Sequence, residues 1–487
     1  MRVALAQINP LVGDVVANTT AILRCVKSAA SQGTELVVFS ELAVVGYPPR
    51  DLLDDPALCR EALGALETLA ADCRSIAALV GVPRPAESGP GAPLLDAAAL
   101  LVDGVVREFF AKSLLPNYSV YDDPRYFRPG PGPGCVEIAG CRVGVTICED
   151  IWDAEALGRQ RYDTDPIARL MGEDVDVVVN LSASGYERGK AAHRERLLAR
   201  QARRLGAPIV YVNQVGGNDE MIFDGGSFAV AADGELLGRA ASFREDLLLV
   251  DTASPGRCEP LADEATRLID ALVLGIGDHV RKADYAGVVV HLNGGLNTAV
   301  VTALAVRATG PKNVTAVPVG GGRDAASGQA SRLGIRLLQP GATVPDDALV
   351  LWSASKTDLA LGRCASGGGL APIGDLLDRA VVGLARQLGV TGSTSRRGPA
   401  ADDALDEIVA QYVEQGRTVE QVDVPGVSRD AIIETVDRID RAERYRRTAP
   451  PVLHVSDRAF GLGRRMPIAC RTPRRSGPRT SQEDVST

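Results

Sequence analysis

The sequence predicts an α/β protein of two domains, and three observations carry that prediction. The chain has 487 residues, too many for one ordinary hydrophobic core. Through the first half, short β-rich runs alternate with stretches of helical composition. The rhythm then restarts behind DEATRLIDALVLGIGDHVRKA, residues 263–283, whose apolar period is that of a helix.

In the first domain, placed at 1–255, seven runs read as buried or half-buried strands. They are RVALAQI, ELVVFSE, SIAALVGV, AAALLVDGVV, RVGVTIC, VDVVVNLSAS and PIVYVNQV, all short, apolar and mostly rich in β-branched residues. Between the first two, NTTAILRCVKSAASQG has helical period, with Asn18 expected as its cap and glycine as its stop. The second domain, placed at 262–470, continues through VVVHLN, NVTAVPV, ALVLWSAS and the helix GDLLDRAVVGLARQLG. Residues 391–404, TGSTSRRGPAADDA, are expected to be a flexible connection, and the Pro/Ser/Arg-rich end at 471–487 to be disordered.

Composition narrows the function. A net charge of −9 offers no basic stripe to a phosphodiester backbone, so nucleic acid is not the expected partner. No apolar run approaches ~18 residues and the N-terminus lacks a leader pattern, so the expectation is a cytoplasmic protein with no membrane contact. Nine cysteines without a CxxC pair suit reduced thiols better than disulfides or zinc, and no metal site is expected.

Polar groups at strand ends are where α/β domains place chemistry. Glu41 follows VVFS, Lys112 follows FFA and Cys148 ends RVGVTI. A thiol with a pKa of about 8.5 is mostly protonated at neutral pH, and a nearby carboxylate can take its proton as it attacks. Away from water, a carboxylate boxed in with a lysine and a thiol is expected to be basic enough for that task. The lysine and the N–H after the cysteine would then hold the oxyanion of an amide, such donors being worth ~3–4 kcal/mol each. Taken singly, each residue has a plainer reading: a core cysteine, a snorkelling lysine, a solvated glutamate.

The wording around these residues goes further. ELAVVGYPPRDLL, AKSLLPNYSVYDDPRYFRPG, GVTICEDIW, NLSASGYERGK and YVNQVGGNDEMIFDGGS, in this order, resemble the nitrilase-type glutaminase domain of glutamine-dependent NAD synthetases. The resemblance implies an αββα sandwich that hydrolyses glutamine through a Glu–Lys–Cys triad. It assigns Glu41 as base, Lys112 as oxyanion lysine and Cys148 as nucleophile. It also puts Tyr118, Glu149, Trp152, Ser184 and Lys190 around the glutamine. Asp123 replaces a glutamate expected to position the lysine, one methylene shorter, and Gly185 replaces a proline, which is expected to loosen a pocket loop.

The second domain resembles the synthetase half of the same family, a doubly wound α/β fold with a pyrophosphatase-type nucleotide loop. That loop reads SGGxDS in the family and NGGLNT here. Asn293 stands for the first serine, Asn297 for the aspartate that helps hold Mg²⁺ and Thr298 for the last serine, while Gly294 and Gly295 are kept. The stretch from 320 to 347 is far shorter than the family's lid, Asp358 replaces the glutamate of KSE and Asp378 a lysine. HLNGGLN is therefore expected to be a vestigial loop, with ATP and Mg²⁺ needed only if this half still works. The leading expectation is a glutamine amidohydrolase without cofactor, homo-oligomeric and able to feed ammonia to a partner enzyme. The alternatives are a divergent working synthetase, an amidase for another small amide, and a non-catalytic regulatory partner.

Overall fold

The computed structural model describes residues 1–87, 89–320, 323–339, 345–393 and 399–470. The tail at 471–487 lies outside the described residues. Two six-stranded sheets form the first domain. One runs Asp246–Asp251, Arg2–Gln7, Leu36–Val38, Ala77–Pro85, Leu94–Val102, Val105–Ala111. The other runs Leu236–Arg239, Phe228–Val230, Ile209–Asn213, Val177–Ser182, Cys141–Ile147, Gly134–Ile138.

Strand period sorts the side chains between layers. Val3, Leu5, Leu36 and Val38 meet Val143, Val145, Val177 and Val179 between the sheets. Ala4, Ala6 and Val37 point the other way, onto the helices Val15–Ser31 and Pro56–Ala71. Behind the second sheet, Leu197, Leu198 and Ala202 of the helix Lys190–Leu205 cover Val178 and Ile209. The result is the αββα sandwich expected.

Three local expectations need correction. The first helix is capped by Asp14, which accepts from Ala17 N at 2.8 Å. Asn18 lies buried inside its first turn, bonded to Leu11 and Val44. The run AAALLVDGVV is a hairpin, since Val102 pairs with Val105 across Asp103 and Gly104, both at positive φ. That is the two-residue turn an Asp-Gly pair favours. Finally, residues 399–404 begin a helix, Pro399–Val409, and Ser393 is bridged to Gly295, so 391–404 is not one flexible connection.

The second domain holds a four-stranded parallel sheet in the order Arg336–Leu337, Val314–Pro318, Gly287–Leu292, Ala348–Leu351. The helices Glu264–Lys282, Leu296–Thr309 and Asp378–Leu388 pack on it. From Gly287–Leu292 the chain winds outward to two strands on one side, then crosses to Ala348–Leu351 on the other. The order therefore reverses between Gly287–Leu292 and Ala348–Leu351, the place where doubly wound sheets open a ligand crevice at their C-terminal ends. The helices Pro399–Val409 and Arg429–Arg441 share a separate apolar cluster.

Candidate active site

Glu41, Lys112 and Cys148 leave three different strands and meet in the first domain, all three buried. The loop carrying Glu41 crosses the neighbouring strand at Gly81. A Cβ there would come within 2.3 Å of Leu42 N and 2.4 Å of Ser40 O, so only glycine lets the loop lie so close. Cys148 ends its strand at φ +44°, in the left-handed region, and opens a single turn, Cys148–Ile151. An L-residue held there is one of the sparsely populated conformations that cluster at functional sites.

Lys112 Nζ donates to Glu41 Oε1 at 2.5 Å and to Asp123 Oδ2 at 2.7 Å. The second oxygen of Glu41 accepts from Ala183 N at 2.9 Å. The Cys148 thiol lies within hydrogen-bonding reach of the same carboxylate. Burial, then the charge of Glu41, pushes the Cys148 thiol well up, so the resting group is a thiol. Burial alone would raise Glu41 too. The Lys112 charge and hydrogen bonds from Asp96, Lys112 and Cys148 outweigh it and hold Glu41 below its usual value. Glu41 thus rests as a carboxylate beside the thiol whose proton it was expected to take. Lys112 stays cationic, because Asp123 and Glu41 override the desolvation that would lower it.

Asp123 reaches the lysine in spite of its missing methylene, and Tyr47 OH donates to its other oxygen at 2.9 Å. The loop expected to loosen at Gly185 is pinned instead. Ser184 N donates to Asn213 Oδ1 at 2.8 Å, Gly185 N to Tyr121 OH at 3.1 Å and Tyr186 N to Ile222 O at 2.6 Å. Tyr118 OH donates to Glu149 at 2.8 Å, and Tyr162 OH donates to the same carboxylate at 3.0 Å. Burial raises Glu149, tempered by Tyr118. Lys190 Nζ donates to Glu187 Oε1 at 3.1 Å and lies 6.0 Å from the Tyr121 ring, which contacts Tyr118. Trp152 packs against His193 and the helix-side layer.

Sequence reasoning missed four contributors: Asp96, Asp150, Tyr47 and Tyr162. Only Asp96 carried a signal of its own, a lone acid within the apolar run LLDAAALLV. Glu41, Asp96 and Asp123 each bring an oxygen within 4.8 Å of the others. The cation they surround is the Lys112 ammonium.

In the second domain, the turn before the helix Leu296–Thr309 uses its own groups as partners. Asn293 Oδ1 accepts from Gly295 N at 2.8 Å and from Thr298 Oγ1 at 3.1 Å. Leu296 N donates to Ser393 O at 3.0 Å, and Ser393 N to Gly294 O at 3.1 Å. Asn297 stands half-buried in the first helical turn. At the reversal point, His291 and Trp352 stack with centroids 5.0 Å apart and planes 23° from parallel. Nearby, Lys356 is wholly buried in ion pairs with Asp375 at 2.8 Å and Glu414 at 2.6 Å. Asp358 closes a capping box with Ser355, and Asp378 accepts from Ser355 Oγ at 2.5 Å.

Known proteins bear on both halves. A carbon-nitrogen hydrolase family model matches residues 2–257, and an NAD synthase model matches residues 268–340. A glutamine-dependent NAD(+) synthetase of Synechocystis is 34% identical over an alignment of 548 positions, covering 96% of this chain and 98% of the relative. One from Xanthomonas campestris is also 34% identical, covering 96% and 97%. Both alignments are longer than this chain, so each relative carries segments that are missing here. Among solved structures, the glutamine-dependent NAD+ synthetase of Acinetobacter baumannii, in complex with adenosine diphosphate, superposes with a TM-score of 0.72. It is 30% identical and the match covers 96% of this chain and 98% of that one. Identity at that level over nearly the whole of both chains is decisive: this chain belongs to the glutamine-dependent NAD(+) synthetase family.

Proposed function

We propose that the first domain hydrolyses glutamine to glutamate and ammonia. The observation that carries this is the convergence of a buried thiol, a carboxylate within its reach and a buried ammonium at one site. Cys148 Sγ attacks the amide carbon while Glu41, within reach of the thiol, takes its proton. Lys112 commits two N–H groups to Glu41 and Asp123 and turns the third toward the oxyanion, together with the N–H of Glu149. Glu41 returns the proton to departing ammonia, then takes one from the water that cleaves the thioester. Glu149, held by Tyr118 and Tyr162, provides the anion that an α-ammonium group would meet. The place of Glu41 between the thiol and the Lys112 ammonium suits this cycle, because the same group must both accept and release a proton.

The second half of the reading concerns nucleotide chemistry. A magnesium triphosphate does not fit the residues at the expected loop. Two of its N–H donors, those of Gly295 and Leu296, are engaged by Asn293 and Ser393, Asn297 brings no charge, and His291 and Trp352 stack on each other beside the loop. These features support a synthetase fold that no longer adenylates, with the ammonia passed to a partner enzyme. Family membership favours a second reading, a working glutamine-dependent synthetase. One experiment separates them: purified protein is given glutamine, with and without nicotinate adenine dinucleotide, ATP and Mg²⁺. The expected result is ammonia in both mixtures, no NAD in either, and no ammonia from Cys148→Ala. NAD formation would restore the second reading, and wild-type ammonia no higher than that of Cys148→Ala would end the first.

A further inference from the structure

Three carboxylates crowd one ammonium beneath the nucleophile, and only two of them are accounted for by its short bonds. Asp96 sits in the strand Leu94–Val102, 1% exposed. Its Oδ2 is 3.5 Å from Lys112 Nζ, against 2.5 Å for Glu41 and 2.7 Å for Asp123. As an ionised group it has no hydrogen-bond donor for either oxygen, which at full burial is among the least favourable states a side chain can hold. Yet it lies within hydrogen-bonding reach of Glu41, another carboxylate. Two ionised carboxylates repel; a single proton turns that pair into a bond. The ammonium stands 2.5 Å from Glu41 and 3.5 Å from Asp96, and Glu41 also accepts from Ala183 N, so the charge is better held on Glu41 and the proton resides on Asp96.

Resting on the hydrolytic reading above, we propose that Asp96 is a positioning residue of this site, kept as the neutral acid and donating its proton in a hydrogen bond to Glu41. Its neutrality leaves two anions around one cation rather than three. Its bond turns the Glu41 carboxylate toward the thiol and keeps that carboxylate from holding the transferred proton too tightly. The charged groups facing Asp96 are Glu41, Lys112 and Asp123, with Cys148 and Tyr47 beyond them. Burial, then the Glu41 charge, raises Asp96 well above the usual carboxylate range, in keeping with this geometry.

The test uses Asp96→Asn and Asp96→Ala in the full chain. Asparagine keeps a neutral donor of the same shape; alanine removes it. Asp96→Asn is expected to keep kcat for ammonia release within about threefold of wild type. Asp96→Ala is expected to lower it about 100-fold with little change in KM, the scale of a misplaced reacting group. The pH profile of Cys148 alkylation by iodoacetamide gives a reading that needs no substrate. It is expected to match wild type in Asp96→Asn, and to shift in Asp96→Ala as Glu41 loses its donor. An Asp96→Asn profile displaced from wild type would show that Asp96 is ionised and overturn the proposal, whether or not glutamine is the substrate and even if the alanine variant fails to fold. Wild-type kcat and profile in a folded Asp96→Ala would overturn it too.

Discussion

Asp150 accepts from Ser113 N, Ser113 Oγ and Leu114 N at 3.0, 2.7 and 2.9 Å, and from Ile147 N at 3.3 Å. It therefore ties the residues after Lys112 to the turn that holds Cys148. Adjacent Glu149 drew attention as a pocket residue, whereas Asp150 looks in the sequence like an ordinary surface acid. Its role exists only because the two strand ends lie side by side. Asp150→Asn places an amide N–H₂ among buried donors and removes a charge-assisted bond. The expected outcome is loss of about 2 kcal/mol in denaturant-measured stability and a fall of about 100-fold in kcat for ammonia release. Stability and kcat both unchanged would mean that the tie does not matter.

Helix ends show the same dependence at the scale of elements. Asp14, Asp55, Asp165, Asp263, Ser355 and Ser428 each cap a helix with a side-chain acceptor, and this local chemistry can be read from sequence. Asp378, at the start of the helix Asp378–Leu388, behaves differently. Burial first, with Asp358, Asp406 and Asp402 adding repulsion, pushes its carboxyl up to about 6 although Ser355 bonds to it. In the unfolded chain the group ionises near 3.9. Below that pH it is neutral in both states; between there and about 6 the folded protein alone keeps the proton. Stability that it contributes at low pH is therefore lost as pH rises through about 6. Asp378→Asn removes this dependence while keeping an acceptor for Ser355. Its gain over wild type is expected to grow from about pH 4 to about pH 7, reaching about 1 kcal/mol after discounting for partial exposure. Paired thermal melts across that range check it, and a gain independent of pH would refute it.

Across the whole molecule, the two halves are joined by buried charge. Asp224 of the first domain receives Arg194 at 2.6 Å and Arg267 of the second domain's first helix at 2.8 Å. Asp278 of that helix accepts from Asn9 and Gly217 N at 2.8 and 2.7 Å. Residues 454–457 lean on the first domain: His454 N donates to Glu220 O, Arg188 N to Val455 O and Ser119 Oγ to Asp457 O. Buried Lys356 and Asp375 hold that segment from behind. On the proposed reading, this contact explains how the second fold persists without nucleotide chemistry, since it braces the loops that carry Ser119, Arg188 and Glu220. Calorimetry with ATP, with and without Mg²⁺, is expected to show no binding in the millimolar range. A magnesium-dependent isotherm would overturn the reading that this half no longer takes a nucleotide.

Sequence by itself determined the layered α/β class and most of its strands, which follow from period, a property of short segments. Residue type at strand ends singled out Glu41, Lys112 and Cys148, and the family resemblance of the motifs around them gave them their expected roles. It also exposed the altered nucleotide loop, because a lost charge at Asn297 needs no coordinates to be seen. Only the tertiary structure decided that Glu41 meets Lys112 and Ala183 N, that Asp96 and Asp150 lie at the site, and that Asn18 is not a cap. It alone placed His291 and Trp352 against one another across the sheet's reversal point. The reason is physical: a pKa, a buried bond and a ring stack each depend on groups far apart in sequence, whose separation is set only when the sheets and their helices pack.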